Sequence, residues 1–166
     1  MLFRSNPSEG ALAWGSLSRA VRSPSRVDRD LFAPAQPPFF FAGGPDFRSE
    51  TANVAELGYR AQPSRTFFYS VTAFHHVHDR IRSVEPTASG AVIANGIEGR
   101  TSGVEAWATF QAATRWRLKV GGVYLRERLR LKAESRATSV AGEGKDRKST
   151  RLNSSHIQKS RMPSSA

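Results

Sequence analysis

His75-His76-Val77-His78 and the carboxylates Glu56, Glu105 and Glu127 are the residues of this chain whose types could do chemistry. In an extended segment His76 and His78 share a face, which is how two imidazoles would begin a metal site, but Asp79 points the other way and two imidazoles do not close a site. The carboxylates have no nucleophile beside them, no glycine-rich phosphate loop and no acid/base constellation. The reading is therefore no catalytic residue, no bound metal, no cofactor and no enzyme. Lumen-side ion pairing, in a barrel, is the plainer role for the acidic residues.

The elements that carry these residues are strands. In the run from Thr66 to Arg82, Tyr69, Val71, Ala73, Val77 and Ile81 hold one parity, and Ser70, Thr72, His76, His78, Arg80 and Arg82 hold the other. A period of two marks a strand with one apolar face. The split recurs in Asn53–Arg60, where Ala55, Leu57 and Tyr59 alternate with Glu56, Gly58 and Arg60, and the turn Gln62–Arg65 makes the two runs a hairpin. Ala11–Arg19 reads as an earlier strand. Ile97–Gln111 and Trp116 to about Leu131 read as later ones, with Glu85–Gly90 and Ala112–Arg115 between. Within the last, apolar parity switches from Leu118, Val120 and Tyr124 to Leu125, Leu129 and Leu131, which a bulge or an exit from the apolar zone would explain. A basic helix over Tyr124–Arg136 lacks a full apolar stripe. Residues 21–49 carry Pro24, Pro34, Pro37, Pro38, Gly43, Gly44 and Pro45 and read as one long loop around Phe39, Phe40 and Phe41. That triplet is either a binding patch or an apolar run that packs under the loop or forms a short strand.

Long loop, short turn, medium loop, short turn is the connection pattern of an antiparallel up-and-down transmembrane β-barrel with short periplasmic turns. The expected fold is all-β, a meander of about five strands. Arg or Lys facing lipid at the midplane costs about 2–4 kcal/mol, so Glu56, Arg60 and Glu105 are expected to face the lumen. The Phe triplet, Arg80 and Arg82 are expected on the extracellular side. Tyr59, Tyr69 and Tyr124 are candidates for the membrane interface.

Charge enters with a qualification. The chain carries +11 and no cysteine, and such a balance ordinarily points to an anionic partner. The tail Asp146–His156, however, resembles translated sequencing-library adapter, Ser160–Ala166 resembles its continuation, and Met1–Ser5 fits the reverse complement. On that reading residues 1–5 and 146–166 are artefact, the latter disordered, and only residues 6–145 are native protein sequence. Arg4 supplies one and the tail four of the net charges, leaving +6 for residues 6–145.

Phe47-Arg48-Ser49-Glu50 followed by Asn53–Arg60 resembles the late-barrel motif of TonB-dependent outer-membrane receptors, and Ser18–Arg26, Tyr69–Arg82, Asn95–Trp107 and Trp116-Arg117-Leu118 continue the likeness in order. The resemblance implies active uptake of a scarce ligand, such as a ferric siderophore, across the bacterial outer membrane. It implies the lipid bilayer, the TonB system and a small-molecule ligand as partners of the intact protein, and no nucleic acid. A plug and a TonB-contacting segment are not recognisable, so the chain is expected to be a barrel fragment that does not function alone. The alternative is a small basic soluble β-domain that binds nucleic acid, with Phe67, Phe68 and Tyr69 stacking on bases.

Overall fold

The computed structural model describes residues 1–138 and, as backbone, 147–153. Its strands in chain order are β1 Leu2–Ser8, β2 Ala11–Arg22, β3 Phe32–Ala33, β4 Phe41–Ala42, β5 Glu50–Ser64, β6 Phe67–Pro86, β7 Ala91–Ala113, β8 Trp116–Leu131 and β9 Arg147–Asn153. Among the described residues one short helix, α1 (Arg26–Asp30), interrupts them between β2 and β3. All the strands join one sheet. Its main path runs β1-β2-β5-β6-β7, with β8 and then β9 continuing from β7. Every pairing along it is antiparallel; only β4 runs parallel to its partner, the start of β7. This is an all-β, up-and-down sheet of a barrel, and it does not close among the described residues.

The five long strands are the expected ones, each longer than the alternation alone marks except β8, whose bounds coincide with the expectation. Both hairpin turns are tighter than expected. Only Arg65–Thr66 and Thr114–Arg115 lie between the strands. The residues counted as turn are drawn into the ladder, because a slip in register between Ala61 and Ser64 takes up Pro63, which has no donor for the ladder. At the other turn Gln111 ties the ends together, donating from Nε2 to the carbonyls of Ala113 (2.6 Å) and Trp116 (3.2 Å).

Residues 21–49, expected to be a structureless loop, fold onto the far end of the sheet. Ser25 caps α1: its hydroxyl accepts from the Asp28 amide while Asp28 accepts from the Ser25 amide, at 3.3 and 2.8 Å. A Ser-x-x-Asp box behind Pro24 was a readable start signal that the proline and glycine content obscured. Beyond α1 the chain turns back through Gly43 and Gly44, whose amides bond the carbonyls of Leu31 (2.6 Å) and Asp28 (2.9 Å). Phe47 and Ile93, each 1% exposed, form the packed centre there with buried Ile97, Asp28 and Ser83. The largest buried side chains thus lie under this folded loop, while Ala11 and Ala61 are buried against each other at the turn end and most of the strand surface is uncovered.

The ends also take part in the sheet. β1 lies along β2, and β9 pairs with β8 from Asn153 opposite Gly121 to Arg147 opposite Glu127. Disorder was expected of 146–166; Arg147–Asn153 instead adds a strand, because the outer edge of β8 presents backbone groups that any extended segment can satisfy. Residues 146 and 154–166 lie outside the described residues.

Candidate membrane face and loop-side rim

Directly opposed residues in an antiparallel sheet share a face, so register sorts every side chain. Row by row from the short turns, one face carries Phe67, Phe110 and Leu118; then Ala11, Ala61, Tyr69, Ala108 and Val120; then Ala13, Tyr59, Val71, Ala106 and Gly122; then Gly15, Leu57, Ala73, Val104 and Tyr124. None of these rows holds a charge. The next row, Leu17, Ala55, His75, Ser102 and Arg126, begins the change, and the row after it holds Arg19, Asn53, Val77, Arg100 and Arg128. From Phe67 to His75 a strand advances roughly 27 Å. At a barrel tilt of about 40° that is about 20 Å of height, close to the apolar band of an outer-membrane barrel.

The apolar face is bare. Leu57 is 70% exposed, Val120 57% and Leu17 55%, and among the described residues no second layer packs on them. A soluble sheet protein would bury such a stripe against another layer, at about 25 cal/mol for each Å² covered. Toward the turns the stripe becomes aromatic: Tyr59 and Tyr69 lie 6.1 Å apart, Phe67 lies 5.8 Å from Tyr69, and Phe67 6.5 Å from Phe110. Tyr59 and Tyr69 therefore stand in a cluster toward the turn end, whereas Tyr124 sits in the last uncharged row, toward the loop side. The two phenylalanines were missed as members of this cluster, although their parity was legible.

The opposite face is polar and aromatic. Glu56, Arg60 and Glu105 all lie on it, in three different rows: Glu56 with Phe74 and Gly103, Arg60 with Ser70 and Trp107, Glu105 with Gly58 and Thr72. They share a face, and no ion pair joins the three among the described residues. Glu56 instead accepts a hydrogen bond from the Ser16 hydroxyl at 3.0 Å. Arg60 borders a hollow of about 540 Å³ with Arg4, Gln62 and Phe68. Phe68 packs on Trp107 at 4.9 Å on this face, while Phe67 and Tyr69 are on the other, so strand alternation separates the three rings expected to stack together on bases.

His76 and His78 share this face, with ring centroids 5.9 Å apart and Phe74 5.2 Å from His76. His78 Nε2 pairs with the Thr101 hydroxyl at 3.0 Å, and His75, on the other face, bonds Ser102 through Nδ1 at 2.7 Å. Among the described residues no three His, Asp or Glu side chains gather as metal ligands.

Beyond the band, β6 changes face. His78 opposes Gly99 but Ile81 opposes Ile97, so Asp79 and Arg80 together face a single residue, a β-bulge with Arg80 at φ 58°. Ile81, expected on the apolar outer face, is thereby turned to the inner one. Arg80 reaches Asp79 (3.3 Å) and Thr51 (3.4 Å). Arg82 joins the charge cluster that holds α1. There, buried Asp28 takes Arg22 at 3.1 Å and Arg82 at 3.3 Å, and Arg22 also bonds Glu50 at 2.7 Å. The second parity change, in β8, has no bulge: pairing with β7 is continuous from Leu118 to Leu131. The outward positions there become Arg126, Arg128 and Arg130 because the strand has left the apolar zone. The strand also disposes of the helix alternative over Tyr124–Arg136.

The Phe triplet divides. Phe41 is in β4, Phe39 packs on Phe32 at 4.9 Å, and Phe40 is 65% exposed. Phe39 and Phe41 thus follow the packing alternative, as a loop contact and as a short strand, while Phe40 stays exposed.

Residues 3–159 match the family model described as TonB dependent receptor-like, beta-barrel. No curated protein matches the chain.

Proposed function

The chain belongs to the TonB-dependent receptor-like β-barrel family, and from that premise we propose that residues 6–145 are part of the wall of an outer-membrane receptor that takes up a scarce ligand such as a ferric siderophore. In the intact receptor the energy comes from the TonB system, and the segment does not transport alone. The family is one of outer-membrane transporters. The observation that carries the reading is the uncharged, uncovered outward band, bounded by tight turns at one end and a folded loop at the other. Glu56, Arg60 and Glu105 then face the lumen. Phe40, Arg80 and Arg82 stand at the extracellular mouth, where an incoming ligand first meets the barrel.

Because the chain has no cysteine, single cysteines can be placed cleanly along β6. Spin labels at positions 69–77 of the chain folded into lipid vesicles should alternate: odd positions accessible to dissolved oxygen, even ones to a polar nickel reagent. Equal access of the polar reagent to both parities would sink the membrane reading. The origin of residues 1–5 and 146–166 is a separate matter, tested by genomic reads that cross the codons of Ser5 and Lys145. Continuation into a plug and further strands supports the receptor fragment, and native coding of both ends in one complete gene overturns it.

A further inference from the structure

The chain does not run straight on when it leaves β8. The Lys132 amide still bonds the Gly96 carbonyl of β7 at 2.8 Å, and the Ser135 amide then turns back to the Lys132 carbonyl at 3.0 Å. Past that turn the chain lies against the end of β6, two strands from the one it left. Two carboxylates of β6 hold this segment. Asp79, in the bulge, takes Lys132 Nζ at 2.7 Å. Glu85, beyond the bulge, takes the Arg136 amide at 2.5 Å on one oxygen and the hydroxyls of Ser135 and Ser83, at 2.7 and 2.6 Å, on the other. Ser83 and Glu85 keep the parity of Ile81 along β6, so the bulge that turns Ile81 inward turns them inward too. The fit is close: a Cβ at Gly96 would overlap the Glu85 carboxylate and both hydroxyls.

Little else fastens the segment. Ala137 is buried, but Ala133, Glu134 and Arg136 are exposed, whereas residues 21–49 are packed on Phe47 and Ile93. A stretch with few buried apolar contacts opens before the sheet beneath it. The charged groups on the surrounding elements are Asp79, Arg80 and Arg82 on β6, Glu98 on β7, Arg130 on β8, Arg29 and Arg48 from the loop, and Lys132, Glu134 and Arg136 in the segment itself. Arg82 is taken by Asp28, Arg80 and Lys132 by Asp79, and Arg130 by Glu98. Glu85 is held by two hydroxyls and an amide, all donors, so a proton added to it would face donors on both oxygens.

We infer that residues 132–137 form a releasable strap at the loop-side mouth, clasped by the Glu85 carboxylate and opened by acid. Its place at a mouth rests on the membrane reading proposed above, where release widens the way into the lumen. Burial pushes the Glu85 carboxyl up; the Ser83 and Ser135 hydroxyls and the Arg136 and Ala137 amides outweigh it and hold the group below the usual range. A depressed carboxylate stabilises the closed strap above its unfolded value, about 4.3, and that hold is lost as pH falls through the folded one.

The test uses the full chain in neutral phosphatidylcholine vesicles, spin-labelled at Ala133→Cys and Thr87→Cys, both exposed positions of a chain without cysteine. Pulsed dipolar spectroscopy should give one narrow distance at pH 7 and a longer, broad one below about pH 4. Glu85→Ala should be broad already at pH 7, and its Gly96 amide, which donates to the Ser83 hydroxyl at 2.8 Å, should exchange at least tenfold faster than the parent's. Glu98→Ala, which frees only Arg130, and Asp28→Asn, which loosens residues 21–49, should both stay narrow at pH 7. A narrow distance in Glu85→Ala overturns the clasp, and a parent distance unmoved by acid overturns the acid release; the second needs no variant to fold. Loss of the odd-even alternation along β6 removes the membrane reading, and with it the strap's place at a mouth, while the distances still decide the clasp itself.

Discussion

Asp28 shows how one side chain holds a loop in place. It is fully buried and accepts from the Ser25 amide and hydroxyl at 2.8 and 2.9 Å, from Arg22 at 3.1 Å and from Arg82 at 3.3 Å. Burial pushes the carboxyl up; the two Ser25 hydrogen bonds and Arg22 outweigh it and hold the group down at about 2. A depressed carboxylate contributes stability that is present above its unfolded value, about 3.9, and is lost as pH falls through the folded one. Hydrogen exchange over residues 26–47 should therefore accelerate between about pH 4 and pH 2 while the amides of β5 to β7 stay protected. Asp28→Asn should raise exchange in that loop at neutral pH. Hydrogen bonds to a charged group contribute about 1.5–3 kcal/mol, so the increase should be on the order of ten- to a hundredfold. Unchanged exchange in the variant would mean that Phe47 packing, not the carboxylate, holds the loop. At Gly58 the constraint is steric: a Cβ would overlap the Trp14 indole from the neighbouring strand. Gly58→Val should cost about 1–3 kcal/mol, read as a lower urea midpoint in vesicles, and Trp14→Ala in the same chain should relieve part of that cost.

At the scale of the element, strand identity and facing were legible because the alternation is carried by strongly contrasting residues, Leu57 against Glu56 and Val71 against Thr72. What alternation cannot carry is a change of face. The Asp79–Arg80 bulge puts an arginine at φ 58°, and nothing in the residue types announces it, since arginine has no preference for that conformation. The turn residues misled for the opposite reason: Gln62-Pro63-Ser64 has turn composition, yet the ladder extends across it. The rows yield a contrast that composition alone does not. Leu57→Arg places a guanidinium in the uncharged band and should destabilise the vesicle-folded chain by about 2–4 kcal/mol, whereas Thr72→Arg, on the inner face, should stay within about 0.5 kcal/mol of the parent. Urea unfolding followed by tryptophan fluorescence measures both. A larger cost for Thr72→Arg would mean that the two faces have been assigned to the wrong sides, and equal costs that neither face meets lipid.

For the whole molecule, the legible part was the order of loops and turns; the hidden part was where the packed centre lies. A soluble domain of this length gathers its apolar residues into one interior. Here the strand faces remain open and the largest buried side chains, Phe47 and Ile93, collect under residues 21–49, the arrangement that the proposed contact of the outer face with lipid requires. The same physics makes the sheet edges costly, since each unpaired backbone group in hydrocarbon loses several kcal/mol. β9 covers part of one edge, and a ladder asks only for backbone groups, so its presence does not depend on which side chains residues 147–153 carry. If residues 1–5 and 146–166 are foreign to the receptor, the interior strands should not need them. A chain reduced to residues 6–145 should then keep, in vesicles, the exchange protection of β5, β6 and β7, whose ladders lie between other long strands, and lose protection only along β2 and β8. It should also self-associate more than the full chain in detergent, as sedimentation would register, because the longer edges of β2 and β8 are then exposed in place of β1 and β9. Collapse of protection in β5 to β7 would show that the terminal strands are integral to the sheet.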